Sequence, residues 1–103
     1  MDDRLLTTLR TARARFTDEG FIILGVFGSR ARGDNRPDSD LDVLYRLEER
    51  FYQRYPAWEA AGRLDEIRKE LQLLTGFSVD TANIDLLHEV GKKYILPETV
   101  YVA

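Results

Sequence analysis

Gly28-Ser29-Arg30-Ala31-Arg32-Gly33-Asp34-Asn35-Arg36-Pro37-Asp38-Ser39-Asp40-Leu41-Asp42 is the stretch on which the reading of this chain turns. It opens on a glycine and a serine and closes on two aspartates separated by a leucine. Immediately before it, Phe21 to Phe27 is apolar on both faces, the pattern of a central strand covered from both sides. Immediately after it, Leu41, Val43 and Leu44 begin a second strand that runs out near Leu47. Gly33-Asp34 and Pro37 mark turns between the two.

On a strand, side chains two apart share a face, so Asp40 and Asp42 project together while Leu41 and Val43 face the core. Two adjacent carboxylates repel, and a hard divalent cation with a preference for oxygen ligands, such as Mg²⁺, is their natural counter-charge. At the other end, glycine allows a tight turn and close backbone approach. If Ser29 to Arg32 begin a helical turn, their free N–H groups form an anion cradle that the serine hydroxyl extends. Arg30 and Arg32 would add charge-assisted contacts to phosphate oxygens. Taken singly, an Asp-X-Asp is as readily a solvated strand end, and a Gly-Ser an ordinary turn with a capping serine. A phosphate cradle and a paired-carboxylate strand together make the two halves of a nucleotide–metal site. Neither a Walker A loop nor a dinucleotide glycine fingerprint is present.

Outward from this stretch, Leu5, Leu9, Ala12 and Phe16 recur at helical spacing behind Asp2 and Asp3, which are placed to cap, and Gly20 ends that helix. Trp58, Ala61, Leu64, Ile67, Leu71 and Leu74 form a long amphipathic stripe stopped by Gly76. Phe77 to Ala82 reads as a third strand. Leu86 to Ile95 reads as a short last helix before Pro97, and Thr99 to Val102 as a terminal strand. The order predicts an α/β (α+β) domain with a small mixed sheet flanked by helices. At 103 residues without repeats or linkers, a single domain over 1–103 is expected.

The composition is that of a soluble globular chain, 44% hydrophobic and 32% charged. No apolar run approaches the about 18 residues of a membrane span, and Met1-Asp2-Asp3-Arg4 lacks a signal-peptide layout, so a cytoplasmic location is expected. No cysteine is present, which excludes disulfides and thiolate metal sites. A net charge of −3 argues against binding long RNA or DNA.

Gly-Ser, ten residues, then Asp-X-Asp resembles the signature of the nucleotidyltransferases that share the DNA polymerase beta palm. The fuller string GSRARGDNRPDSDLDVL, residues 28–44, resembles the minimal nucleotidyltransferase family, antitoxin-type proteins paired with HEPN-domain toxins. The resemblance extends over nearly the whole chain. It implies a third carboxylate on a later strand, for which Asp80 is the candidate; Asp85 falls at the expected start of the last helix and is read as a cap. It further implies that Asp40, Asp42 and Asp80 hold two Mg²⁺ ions, with Mn²⁺ as an alternative, and that Asp80 helps to ionise the attacking hydroxyl. Gly28, Ser29, Arg30 and Arg32 would bind the phosphates of ATP or another nucleoside triphosphate.

The function so implied is transfer of AMP to a hydroxyl, a tyrosine of a HEPN-type toxin partner. Rival readings are transfer to RNA or a small molecule, and a non-catalytic antitoxin that masks its partner. The chain has no room for an acceptor domain, so either a protein partner or a homo-oligomer supplies what is missing. His88 has no metal-ligating neighbour in sequence and reads as a surface or packing residue. Phe51, Tyr52, Tyr55 and Trp58 read as packing, and Arg63 to Glu70 as a solvated helix face.

Overall fold

Asp2 opens the first helix: its carboxylate accepts the Leu5 N–H at 2.7 Å, satisfying one of the donors a helix start leaves free. The computed structural model describes residues 1–102. Helix α1 (Asp3–Thr17) buries Leu5, Leu9, Ala12 and Phe16 along one stripe. Strand β1 (Phe21–Phe27) leads into a single helical turn, α2 (Ser29–Arg32), and a loop returns the chain to strand β2 (Leu41–Leu47). Helices α3 (Glu49–Arg54) and α4 (Trp58–Thr75) follow, then β3 (Val79–Asn83), a 3₁₀ turn (Ile84–Leu86), helix α5 (Glu89–Glu98) and strand β4 (Val100–Tyr101).

The strands form one mixed sheet, as expected, and its order is β3-β2-β1-β4. β1 is antiparallel to β2 and to β4, and β2 is parallel to β3. Leu41, Val43, Tyr45 and Leu47 alternate onto the face covered by α1 and α4, where Phe16, Phe51, Ile67 and Leu71 complete the core. Burying each such side chain contributes about 1.5–3 kcal/mol. Ile22 and Leu44 point the other way and are buried as well, so the second face is partly covered; the 3₁₀ turn contacts β2 there and α5 contacts β1. The irregularity in β1 between Ile23 and Gly25 is where β4 crowds in. A Cβ on Gly25 would collide with the Val100 carbonyl oxygen, so only glycine lets β4 lie this close. Among the described residues, no helix is long and apolar enough to cross a membrane.

Several expectations need correction. Residues 49–54 form α3, which is too short to show a helical period. Pro97 lies inside α5, in its last turn, where the loss of one N–H costs only a helix end. The last helix starts at Glu89, because Asn83 caps the 3₁₀ turn first by accepting the Asp85 N–H at 2.9 Å; Asp85 is therefore capped, not a cap. Phe51 is fully buried, but Trp58 is 84% exposed in the first turn of α4 and does not pack into the core. Nor is Arg63 solvated. Its guanidinium forks onto Glu19, with Nε to Oε1 and NH2 to Oε2 both at 2.7 Å, while the Tyr55 hydroxyl donates to Oε1 at 2.6 Å. Both ionic side chains are largely shielded from solvent. The arginine and the tyrosine hydroxyl hold the Glu19 carboxyl below its usual range against the opposing effect of burial.

Candidate active site

At the end of β1 the chain reverses through Gly28, whose φ of 77° is a backbone state that side chains disfavour. A Cβ on Gly28 would also overlap Oδ2 of Asp42. The backbone state thus favours glycine, and any side chain there would also have to move the Asp42 carboxylate. Ala31 and Arg32 N–H donate to the Gly28 carbonyl at 3.1 and 3.0 Å, and Gly33 and Asp34 N–H donate to that of Ser29 at 2.9 and 3.1 Å. The amides of Ser29 and Arg30, first in the turn, lie outside this bonding, as helix starts require.

Asp42 is placed by the pleat. With Leu41 and Val43 fully buried in the core, the side chain between them must leave by the opposite face. Its partners in the sheet are Phe27 on β1 and Asp80 on β3. Residues in register on neighbouring strands project side by side, so the Asp42 and Asp80 carboxylates share a face. Asp40 stands two residues earlier, just before β2, and both Asp40 and Asp80 are exposed. Burial pushes the half-buried Asp42 carboxyl up from its ordinary value; Asp80 and Asp40 add to the rise, Arg32 opposes it and Glu98 reinforces it. Asp80 and Asp40 therefore both act on Asp42, whereas Asp85 belongs to the 3₁₀ turn beyond β3.

Among the described residues no three carboxylate or histidine groups converge into a ready-made cage. Mg²⁺ is commonly held by one or two carboxylates together with substrate phosphates and waters. All the donors here are hard oxygens, and the mutual repulsion at Asp42 is of the kind a cation relieves. The residues fit such an ion.

The two arginines part ways. Arg30 donates from Nε and NH2 to the Ser39 carbonyl at 3.0 and 2.7 Å and from NH2 to that of Pro37 at 3.3 Å. Its guanidinium also lies 4.0 Å from the centre of the Phe77 ring. It braces the loop that delivers Asp40, with no bond to the Ser29–Arg32 turn itself. Arg32 stays beside the turn, half-exposed, with Nε to Asp34 at 3.2 Å and NH1 to Glu98 at 3.0 Å. Glu98 went unnoticed in the sequence. A lone glutamate near a helix end carries no signal, and its partners lie 66 and 70 residues away.

Residues 12–102 match the model of a family described as the nucleotidyltransferase domain. The chain is 31% identical over 99 residues to the protein adenylyltransferase MntA of Thermococcus cleftensis, an alignment covering 94% of this chain and 92% of the other. A solved structure described as a minimal nucleotidyltransferase superposes with a TM-score of 0.65 at 32% identity, covering 97% of this chain and 95% of that one.

Proposed function

The chain belongs to the nucleotidyltransferase domain family, and on that premise we propose that it transfers AMP from ATP to a hydroxyl group on a protein. The observation that carries this reading is the position of Asp42, in register with Asp80 on one side and directly against Gly28 on the other. Carboxylates and phosphate-binding turn thereby meet on one open face.

In this reading Ser29 and the free amides of its turn hold the outer phosphates, with Arg32 compensating their charge. Asp40 and Asp42, with Asp80 beside them, would hold Mg²⁺ together with the triphosphate, and the ion would supply the charge neutralisation that lets a nucleophile approach a polyanion. Asp80, exposed at the sheet edge beside Asp42, assists deprotonation of the incoming hydroxyl. The acceptor oxygen bonds to the α-phosphorus, the bond from that phosphorus to the bridging oxygen breaks, and pyrophosphate leaves.

A protein acceptor is favoured by the exposed site, by the net charge of −3, which disfavours long nucleic acid, and by the relative named as a protein adenylyltransferase. The resemblance to minimal nucleotidyltransferases directs the proposal to a tyrosine on a HEPN-type toxin, with this chain as its antitoxin. Added AMP would place bulk and negative charge beside the toxin's own site. Co-expression with such a partner, followed by mass spectrometry, tests this: wild type leaves one AMP on the partner and Asp42→Asn leaves none. An unmodified partner silenced equally by both forms would establish masking instead.

A further inference from the structure

We propose that Glu98 is a positioning residue for the phosphate-binding turn: one carboxylate fixes the Gly28 backbone and aims the Arg32 side chain together. This rests on reading Gly28 to Arg32 as the phosphate site. The Gly28 N–H donates to Oε1 at 3.0 Å, and Arg32 NH1 donates to Oε2 at 3.0 Å. The Glu98 side chain is 24% exposed, so both bonds are partly shielded from water.

Glu98 brings a negative charge to the turn, and the Arg32 guanidinium bonded to it offsets that charge. Gly28 is the residue before the turn, so its amide lies behind the two open amides of Ser29 and Arg30, and Glu98 leaves those untouched. Arg32 is gripped at Nε by Asp34 and at NH1 by Glu98, while its NH2 has no acceptor among the described residues. The carboxylates thus hold the guanidinium by two edges and leave the third for a ligand. The Glu98 backbone is itself fixed. Pro97 precedes it in the last turn of α5, Thr99 Oγ1 donates to the Ile95 carbonyl at 2.8 Å, and β4 pairs with β1 two residues on.

The test is Mg²⁺–ATP affinity, measured by calorimetry on the full chain, for wild type, Glu98→Ala, Glu98→Gln, Arg32→Ala and the Arg32→Ala/Glu98→Gln pair. Loss of a charge-assisted clasp weakens affinity by about tenfold in Glu98→Ala. Glu98→Gln, which keeps an acceptor for Gly28 but loses the ion pair, falls between. In the Arg32→Ala background, Glu98→Gln has no further effect. Unchanged affinity in Glu98→Ala, or tighter binding because the carboxylate competed with phosphate, would overturn the proposal while leaving the nucleotide site standing. Failure of the wild type to bind Mg²⁺–ATP would overturn the reading of the site itself, and this proposal with it.

Discussion

Asp42 occupies the space that a side chain on Gly28 would need. A Cβ at position 28 would overlap Oδ2 of Asp42, so the turn and the carboxylate are built against each other. Substituting Gly28→Ala forces a positive φ with an extended ψ on a residue that resists it, at about 1–3 kcal/mol, and shifts the Asp42 carboxylate as well. Chemical denaturation should show that loss. Mg²⁺–ATP binding should disappear, whereas Ser29→Ala, which removes one hydroxyl, should only weaken it. Full binding by the Gly28 variant would show that the close packing has no functional role.

Asp42 bears an unfavourable charge, raised in pKa by burial and by the neighbouring carboxylates of Asp80, Asp40 and Glu98. Asp42→Asn should therefore melt no lower than wild type in metal-free buffer. Added Mg²⁺ with ATP should raise the melting temperature of wild type but not of the variant, since only a ligand bound to the native state stabilises it. A large drop in metal-free stability would assign Asp42 to the framework.

Arg30 and Arg32 should separate cleanly. Removing the Arg30 brace in Arg30→Ala breaks its hydrogen bonds to the Ser39 and Pro37 carbonyls and uncovers Phe77, at about 1–2 kcal/mol of stability. Arg32→Ala, at a half-exposed site, should leave stability nearly unchanged and weaken nucleotide binding. The reverse pattern in paired melting and binding curves would exchange their roles.

Glu19 predicts an acid limb in stability. Its folded pKa is lowered by Arg63 and Tyr55, so its contribution is complete above the unfolded value of about 4.3 and is lost as pH falls through the lower folded value. Glu19→Gln should cost about 1–3 kcal/mol at pH 7 and flatten the decline below about pH 4. Denaturation midpoints across pH 2–7 that run parallel for the two proteins would exclude this contribution.

The first two strands were legible because alternation in β2 and the doubly apolar β1 are local patterns, and the Gly28-Ser29 and Asp40-Leu41-Asp42 pairs fall at their ends. The register that pairs Asp42 with Asp80 was not, since it depends on how β3 docks after α4. Arg63 looked solvated because its neighbours on α4 are charged; its true partner, Glu19, lies 44 residues earlier. The Arg30 bonds to the Ser39 and Pro37 carbonyls were not legible, because sequence gives the side chain's chemistry but not its direction. Trp58 was misread because helical spacing predicts a face and says nothing of where the sheet beneath it ends.

The antiparallel pairing of β4 beside Gly25, with Val102 fully buried, makes the site late to mature. α1, β1 and the turn at Gly28 emerge early in synthesis, but Glu98 reaches that turn only after 70 further residues have been made. Closing so long a loop is entropically costly and comes after local structure has formed. A nascent chain would therefore carry the carboxylates of β2 before it carries a rigid phosphate turn. The ability to hold nucleotide would be acquired in one step, when α5 and β4 lock onto β1.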